Sequence, residues 1–486
     1  MRGARIPVRA RRRARRYDKE RGCYVYDVSF KTRAPVTERT VEVAKAFGLG
    51  VDDEREHVLY RDFELHLAER DVVYITGDSG SGKSVLLRAL EEDLGGEAIN
   101  IEDVDLPTGR PIIDTVGRTF SEALRLLSKV GLNDAFLFLR EYEQLSDGQR
   151  YRYKIARMID SGKRYWLADE FCSTLDRTTA RVVAFNIQKL ARRSGATLVV
   201  ATTHVDLEED LNPSILIRKG WGEEIQVDYR PNQEAPCCSV SREISLREAS
   251  KEDYMKLAYL HYRDHRIPVP HRFYALERGD ELVGAIAYCY PPVNTAGRKK
   301  AVGYRPDLEE LNRDWTIISR VVVHPKYRTI GLGNRLVRET LPLCGRRHVE
   351  LVAVMAQYNP FAERAGMKLI QRNEPHHTVP RVVEELRALG FDPVRLASVN
   401  HNLKCLEALP DVDEVRKILS RLASHYYKRI SRTSKPYMRK MEYLKWLKEQ
   451  PRESLARSIA TLGVLNQVKA YLYWCRDWLE EDDGVE

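Results

Sequence analysis

Residues 74–84 read Tyr74-Ile75-Thr76-Gly77-Asp78-Ser79-Gly80-Ser81-Gly82-Lys83-Ser84. An apolar, β-prone run leads into this glycine-rich stretch and a helix-forming run follows it, so the sequence predicts a strand, a loop and a helix. The three glycines allow the backbone to turn its N–H groups inward, toward phosphate oxygens. Lys83 would place a charge on the β- and γ-phosphates, and Ser84 would offer a hydroxyl to Mg²⁺. We therefore assign all residues from Gly77 to Ser84 to the binding of a nucleoside triphosphate, ATP, and Mg²⁺.

Length and composition set broad limits on the rest of the chain. Its 486 residues are enough for about three domains, each with its own core. The net charge of +9 favours an acidic partner, nucleic acid first. No apolar run is long enough to span a bilayer, and no signal-peptide core follows the basic N-terminus. The eight cysteines include no CxxC pair, so we expect free thiols in the cytoplasm and no membrane partner.

Two apolar runs end in polar residues. Residues 165–168 lead to Asp169 and Glu170, and residues 197–203 lead to His204. Such runs are typical of buried parallel strands, which deliver polar side chains at the carboxyl edge of the sheet. Between the phosphate loop and the first of these runs lies Gln144-Leu145-Ser146-Asp147-Gly148-Gln149, at the start of a helix. The donors and the dipole of a helix start suit an anion.

This order of elements resembles that of ABC-type ATPases over residues 56–230. The matching elements are the Walker A loop, the LSDGQ signature, the Walker B Asp-Glu pair, the loop at residues 173–176 and the switch histidine. The resemblance implies an ABC-type P-loop ATPase domain at residues 23–230. It implies that Asp169 holds Mg²⁺ together with Ser84, and that Glu170 polarises the attacking water. His204 and Lys83 would act on the γ-phosphate.

The signature carries a further implication. In this family it completes the site of a second ATPase domain, so Ser146, Gly148 and Gln149 would bind the nucleotide of another copy in a head-to-tail homodimer. The sequence departs from the family pattern at Asp147, which replaces a glycine and is expected to point away from the nucleotide. The Q-loop glutamine is missing. Tyr60 and Phe63 are either adenine-stacking aromatics or core residues.

Residues 1–22 form an arginine-rich segment ahead of that domain. It has few apolar residues, so we expect a disordered arm. The arm either contacts nucleic-acid phosphates or is simply a solvated tail. After the ATPase domain, residues 231–242 carry Pro231 and Pro236 and are expected to be a linker.

A second domain is predicted at residues 243–375. It opens with a helical run over residues 246–262, continues with a strand–turn–strand hairpin, and reaches an apolar strand before Arg328-Thr329-Ile330-Gly331-Leu332-Gly333. Residues 291–314 look like an insertion loop. The R-x-x-G-x-G run after a strand resembles the acetyl-CoA motif of GNAT acyltransferases, and the wider match covers residues 244–370.

The GNAT resemblance implies an α+β acyltransferase fold and a set of cofactor contacts. The backbone N–H groups of Arg328, Gly331 and Gly333 would bind the pyrophosphate of acetyl-CoA at a helix N-terminus, and Asn334 would bind the same cofactor. The backbone amides of Val322 and Val323 would bind the pantetheine arm and polarise the thioester. Many members carry a tyrosine acid near the position of Ala362, where this chain has none. Tyr358 is the alternative acid.

The C-terminal region, residues 376–486, is predicted to be basic and helical, with its last helix over residues 454–479. Aromatic residues alternate with basic ones between residues 416 and 448. They either stack nucleic-acid bases or fill the core of an amphipathic bundle.

The leading hypothesis is a soluble ABC-type ATPase coupled to an acetyl-CoA-dependent N-acetyltransferase that acts on a nucleic acid, RNA or DNA, or on a target bound to one. A second hypothesis is an ATP-gated nucleic-acid clamp whose GNAT module is inactive. A third is the ATP-binding subunit of a membrane transporter.

Overall fold

The computed structural model describes residues 9–32, 36–50, 55–260, 267–354, 359–433 and 437–478. The chain divides into two compact units, which we treat separately. The first comprises Met1–Ile267, Arg272–Ala287 and Arg320–Val337, and the second comprises Pro268–His271, Tyr288–Ser319 and Arg338–Glu486.

The strands, in chain order, are Arg9–Asp18 (β1), Cys23–Thr32 (β2), Arg55–Leu65 (β3), Val72–Gly77 (β4), Ala98–Asn100 (β5), Tyr165–Ala168 (β6), Thr197–Ala201 (β7), Ile215–Lys219 (β8), Ile225–Tyr229 (β9), Ser245–Ala249 (β10), Pro270–Arg278 (β11), Glu281–Cys289 (β12), Trp315–Val323 (β13), His348–Ala353 (β14), Lys368–Asn373 (β15) and Lys469–Cys475 (β16).

The α-helices, in chain order, are Glu38–Phe47 (α1), Lys83–Leu94 (α2), Phe120–Lys129 (α3), Ala135–Phe138 (α4), Asp147–Asp160 (α5), Arg177–Ser194 (α6), Glu208–Leu211 (α7), Ser239–Arg242 (α8), Lys251–Ala258 (α9), Arg298–Val302 (α10), Leu308–Asp314 (α11), Leu332–Thr340 (α12), Phe361–Arg364 (α13), Thr378–Ala388 (α14), Val399–Ala408 (α15), Asp413–Leu419 (α16), Tyr427–Ser431 (α17), Lys440–Glu449 (α18) and Arg452–Leu465 (α19).

The first unit contains a six-stranded sheet in the order β5-β6-β7-β4-β8-β9. All neighbouring strands run parallel except β9, which is antiparallel to β8. Strands β4 and β7 are central and apolar, and their side chains are buried almost throughout. Because parallel strands end at one edge, the sheet brings the loops after β4, β6 and β7 together.

A second, antiparallel sheet in this unit has the order β1-β2-β3. Arg9–Asp18 pairs along β2, so the arm predicted to be disordered over residues 1–22 is a strand from Arg9 onward. Backbone pairing with β2 provides the order that the segment's apolar content could not provide alone. Residues 1–8 lie outside the described residues.

The first unit also contains the strand order β10-β11-β12-β13 of a further sheet, with α9 between β10 and β11. The helix predicted over residues 246–262 is therefore wrong at its start, where Ser245–Ala249 pairs antiparallel with β11. The predicted linker ends in α8, where Ser239 donates through its backbone N–H and hydroxyl to the buried carboxylate of Asp210.

In the second unit, the strand order is β13-β14-β16-β15. Strand β16 comes from the end of the chain and pairs antiparallel with both β14 and β15. The helix predicted over residues 454–479 is therefore split into α19 and a strand. The predicted insertion loop at residues 291–314 contains α10 and α11.

Helices α14 to α19 pack around an apolar core of their own. Tyr427 and Tyr443 are buried there, with their rings stacked at a centroid distance of 4.1 Å. The core interpretation of the aromatic residues is therefore confirmed for these two, while Tyr437 is exposed. Within the described ranges, no helix has the length and hydropathy needed to cross a membrane.

Candidate nucleotide and acetyl-CoA sites

The phosphate loop between β4 and α2 has the backbone that its glycines predict. Gly77, Gly80 and Gly82 have φ angles of 141°, 77° and 107°. A Cβ atom at Gly77 would lie 2.0 Å from the carbonyl oxygen of Lys219, so only glycine fits there. The Tyr60 hydroxyl donates to the carbonyl of Gly82 at 3.0 Å and anchors the end of the loop.

The Lys83 ammonium lies inside the loop. Its Nζ donates to the carbonyls of Gly77 at 2.8 Å and Asp78 at 2.6 Å. Burial lowers the pKa of Lys83, and the carboxylates of Asp169 and Asp78 oppose that effect. The charge predicted for the phosphates is thus held at the centre of the loop.

Ser84 and Asp169 come together as the sequence predicted. The Ser84 hydroxyl donates to Oδ1 of Asp169 at 3.0 Å, although the two residues are 85 positions apart. A hydroxyl and a carboxylate are hard oxygen donors of the kind that Mg²⁺ takes, so the pair fits that ion.

Glu170 is exposed and follows Asp169 at the end of β6. Its φ of 46° lies in the left-handed region, which is uncommon for a non-glycine residue. Its backbone N–H donates to Oδ1 of Asp169 at 3.0 Å. The carboxylate of Glu170 is therefore open to solvent, and its backbone is tied to Asp169.

His204 is half-buried after β7, and its carbonyl accepts from the hydroxyls of Tyr74 and Thr76. Burial first, and then the charge of Arg177, lower the pKa of His204. Both effects favour a neutral imidazole, which can donate one hydrogen bond and accept another.

The signature residues begin α5. The backbone N–H of Ser146 donates to Oε1 of Gln149 at 3.1 Å, so this glutamine caps its own helix. Gly148 lies in the first turn. The side chain of Asp147 is largely exposed, and its Oδ1 lies 3.7 Å from Nη1 of Arg150. These residues therefore stand at a helix N-terminus, as predicted.

Trp221 is an aromatic residue that the sequence reasoning missed. The two aromatics proposed from the sequence, Tyr60 and Phe63, are buried in the core. Trp221 is 65% exposed in the turn between β8 and β9, and an edge atom of its indole lies 3.6 Å from the position of a Cβ at Gly80. The available signal was a tryptophan between two glycines, Gly220 and Gly222.

The second glycine loop lies between β13 and α12. Gly331 has a φ of 89° and is exposed, and no described atom lies within 4 Å of the position of its Cβ. Gly333 and Asn334 are in the first turn of α12. The turn is open and leads to a helix N-terminus, so it fits a diphosphate.

Arg328 is not directed into that turn. Its Nε donates to the carbonyl of Val323 at 3.1 Å, an Nη lies 4.0 Å from a carboxylate oxygen of Asp134, and its side chain is 10% exposed. Burial lowers the pKa of Arg328, and Asp134 opposes this. The guanidinium of Arg328 is therefore held beside Val323 and Asp134, while the predicted contact of its backbone N–H with the pyrophosphate stays a prediction. Asp134 gave no sequence signal, because it lies 194 positions earlier.

The structure describes the predicted thioester-binding residues but not the predicted acid. Val322 is buried and Val323 half-buried at the end of β13, beside the glycine loop. Tyr358 lies outside the described residues. Ala362, where an acid tyrosine was expected, is buried.

The fold and its loops define an ABC-type ATPase domain joined to a GNAT acetyltransferase domain. Residues 240–367 match the family described as the Acetyltransferase (GNAT) family. That match includes segments of both units.

The N-terminal part is similar to ATP-binding proteins of importers. It is 28% identical over 231 residues to the aliphatic sulfonates import ATP-binding protein SsuB 1 of Xanthomonas axonopodis pv. citri (strain 306), covering 41% of this chain and 91% of that protein. It is also 28% identical over 216 residues to the methionine import ATP-binding protein MetN of Cupriavidus pinatubonensis (strain JMP 134 / LMG 1197), covering 36% of this chain and 62% of the relative. A solved dimeric ATP-binding cassette with ADP and Pi is 21% identical over 36% of this chain and 93% of its own, at a TM-score of 0.31.

Proposed function

We propose that this chain is an ATP-driven acetyltransferase. ATP and Mg²⁺ close two ABC domains into a homodimer, and the GNAT domain acetylates an amine on a nucleic acid or on a protein bound to one. In the transfer, the amine nitrogen attacks the thioester carbon of acetyl-CoA and forms a C–N bond. The C–S bond breaks, CoA leaves as the thiolate, and the amine gives up a proton.

The observation that supports the proposal is that two glycine loops, each followed by a helix, lie in the same unit. The loop at residues 77–84 is closed around Lys83, and the glycine turn at Gly331 is open before α12. Each loop has glycines at positive φ and leads into a helix N-terminus, which is the general arrangement for binding a phosphate chain. One unit thus contains the parts for ATP and for acetyl-CoA.

The residues around the first loop divide the work of ATP hydrolysis. Ser84 and Asp169 would hold Mg²⁺, which neutralises charge on the phosphates when bound. Glu170 orients and polarises the attacking water, and His204 contacts the γ-phosphate. Ser146, Gly148 and Gln149 complete the corresponding site of the second copy, which makes nucleotide binding and dimer closure one event.

The nucleic-acid target is supported by charge. Strand β1 contains six arginines between Arg9 and Arg16 and lies at the edge of its sheet. Such a segment supplies phosphate affinity without base recognition, so binding should weaken steeply as salt rises. The buried Tyr427 and Tyr443 cannot stack bases, so the proposed contact is mainly electrostatic.

The test uses labelled acetyl-CoA with RNA, DNA or cell lysate as acceptor, with and without ATP and Mg²⁺. We expect label transfer that ATP stimulates and that Gly331→Val abolishes, because a branched side chain is strained at a φ of 89°. Gly279→Val, at a similarly open turn with a φ of 55°, is the matched control: it carries a comparable backbone strain outside the proposed cofactor turn and should retain transfer. Absence of ATP-stimulated transfer to any acceptor would contradict the proposal.

A second candidate is an ATP-gated nucleic-acid clamp with an inactive GNAT module. The side chain of Arg328 favours it, because the guanidinium is held by Val323 and Asp134 and adds no charge to the open turn. The buried Ala362 also leaves no acid at the expected position. Calorimetry with acetyl-CoA separates the two candidates, because an inactive module should not bind the cofactor.

The names of the relatives raise the transporter alternative. The GNAT domain supports acetyl transfer instead. Co-purification of this chain with a membrane permease would favour the transporter subunit.

A further inference from the structure

Arg152 joins the signature helix to the loop that precedes the acetyl-CoA turn. It lies in α5, and its side chain is 5% exposed. Its Nη1 donates to the carbonyl of Pro325 at 2.9 Å, and its Nη2 lies 3.3 Å from the carbonyl of Lys326. One planar guanidinium therefore holds two consecutive backbone carbonyls, a geometry that depends on the shape of arginine as much as on its charge.

Two carboxylates of the ATPase domain contact the same loop. Asp134 lies 4.0 Å from Arg328, and Asp176 lies 3.5 Å from Lys326. Each also begins a helix: Asp134 accepts from the N–H of Phe136 at 2.8 Å, and Asp176 accepts from that of Thr178 at 3.1 Å. Both are therefore fixed to the ATPase domain and can transmit a movement of their helices.

The contact around Arg152 is tightly packed. At Gly131, a Cβ atom would lie 2.9 Å from Nη1 of Arg152 and 3.0 Å from Cγ2 of Thr329. Burial, followed by the charge of Arg328, lowers the pKa of Arg152 to about 10. Close-packed groups of this kind transmit a displacement, because there is no free volume to absorb it.

We propose that Arg152 is a positioning residue through which closure of the ATP dimer sets the affinity of the glycine turn for acetyl-CoA. Arg152 lies on the helix that begins at the signature, and in the proposed dimer the signature contacts the ATP of the second copy. Asp176, which contacts Lys326, lies at the end of the loop that follows Glu170. A shift of α5 on closure moves Pro325 and Lys326 through their carbonyls, and the turn follows them along the chain. This inference rests on the proposed acetyltransferase function and adds the route by which ATP controls it.

The experiment measures the Kd of acetyl-CoA by calorimetry on the full chain carrying Glu170→Gln, with and without ATP and Mg²⁺. We expect ATP to change this Kd by at least about fivefold, the lower end of typical allosteric coupling. Arg152→Lys in the same background should reduce the change to less than about twofold, because a lysine cannot hold two carbonyls at once. Lys154→Ala is the control, since Lys154 lies on the same helix but pairs with Glu102 at 2.8 Å.

A second variant covers the case in which Arg152→Lys fails to fold. Asp134→Asn keeps a side chain that caps α4 and removes the charge facing Arg328. We expect it to lower the ATP effect on acetyl-CoA binding as well. Coupling is reciprocal, so in the Glu170→Gln protein and in each variant acetyl-CoA should change the Kd of ATP by the same factor by which ATP changes the Kd of acetyl-CoA.

Three outcomes would overturn the inference. If ATP does not change the Kd of acetyl-CoA for the Glu170→Gln protein, the inference is wrong but the acetyltransferase function still stands. An unchanged ATP effect in both Arg152→Lys and Asp134→Asn has the same consequence. If the Glu170→Gln protein does not bind acetyl-CoA at all, both the inference and the proposed function are wrong.

Discussion

Trp221 is held in place by a buried lysine beneath its turn. Lys219 Nζ donates to the carbonyls of Gly220 at 2.9 Å and Gly222 at 2.6 Å, and lies 3.3 Å from that of Glu224. Three carbonyls around one ammonium fix the backbone of the turn that carries the indole. We propose that this exposed indole, next to the phosphate loop, stacks on the base of the nucleotide.

We expect Trp221→Ala to weaken ATP binding by about 1–3 kcal/mol, the usual worth of one base–aromatic stack. That loss is about five- to more than a hundredfold in Kd, measured by calorimetry. GTP should lose a similar factor, because every base has a stacking face. Trp221→Phe should retain most of the affinity.

The control for this experiment is Phe120→Ala. Phe120 is also strongly exposed in the ATPase domain, but it begins α3. Its removal should leave the Kd of ATP unchanged. If Trp221→Ala binds ATP as the unmodified protein does, the indole does not contact the base.

A buried ion pair in the second unit permits a stability prediction. Glu350 is fully buried on β14, and Arg298 donates to it through Nη2 at 2.7 Å. Glu350→Gln would leave the arginine charge without its partner, at a cost of about 3–5 kcal/mol. Hydrogen exchange at the β14 amides measures the loss locally.

The control is Asp477→Asn, which breaks the exposed pair with Arg347 and should cost less than about 1 kcal/mol. Equal losses of stability in the two variants would contradict the prediction.

Strand β16 is the element on which the sheet of the second unit depends, because it lies between β14 and β15. Leu472 pairs with Leu351 on one side and Leu369 on the other. Leu472→Pro removes a backbone donor inside the sheet and should destabilise the second unit by about 3 kcal/mol or more. Lys469→Pro is the control, since proline is tolerated at the first residue of a strand. Similar melting temperatures for the two variants would contradict this role.

Motif spacing predicted the elements of the nucleotide site, and periodicity failed for β16. Ser84 and Asp169 could be placed together because parallel strands end at one edge of a sheet. The residues of β16 are buried on both faces, so they show no alternation of apolar and polar side chains to distinguish a strand from a helix. Strand β1 is ordered by its pairing with β2, and the side chain of Arg328 is positioned by Asp134. The sequence around β1 or Arg328 does not reveal either partner.

At the scale of the whole molecule, the proposed function assigns the signature of one chain to the nucleotide of a second copy. Ser146 begins α5, while Glu170 is exposed at the end of β6. If the signature of one chain covers the ATP of another, then ATP that is bound but not hydrolysed should lock two chains together. A variant that binds nucleotide without turning it over therefore tests the assembly directly.

We expect Glu170→Gln to convert from a monomer of 56.2 kDa to a species of twice that mass when ATP and Mg²⁺ are added. Size-exclusion chromatography with light scattering measures the change. Lys83→Ala should remain monomeric because it loses the phosphate contact, and Ser146→Arg should bind ATP yet remain monomeric because its helix start is blocked. If Glu170→Gln binds ATP and still runs as a monomer, the two-chain nucleotide site is wrong. If Ser146→Arg dimerises normally, the signature does not form the contact between the copies.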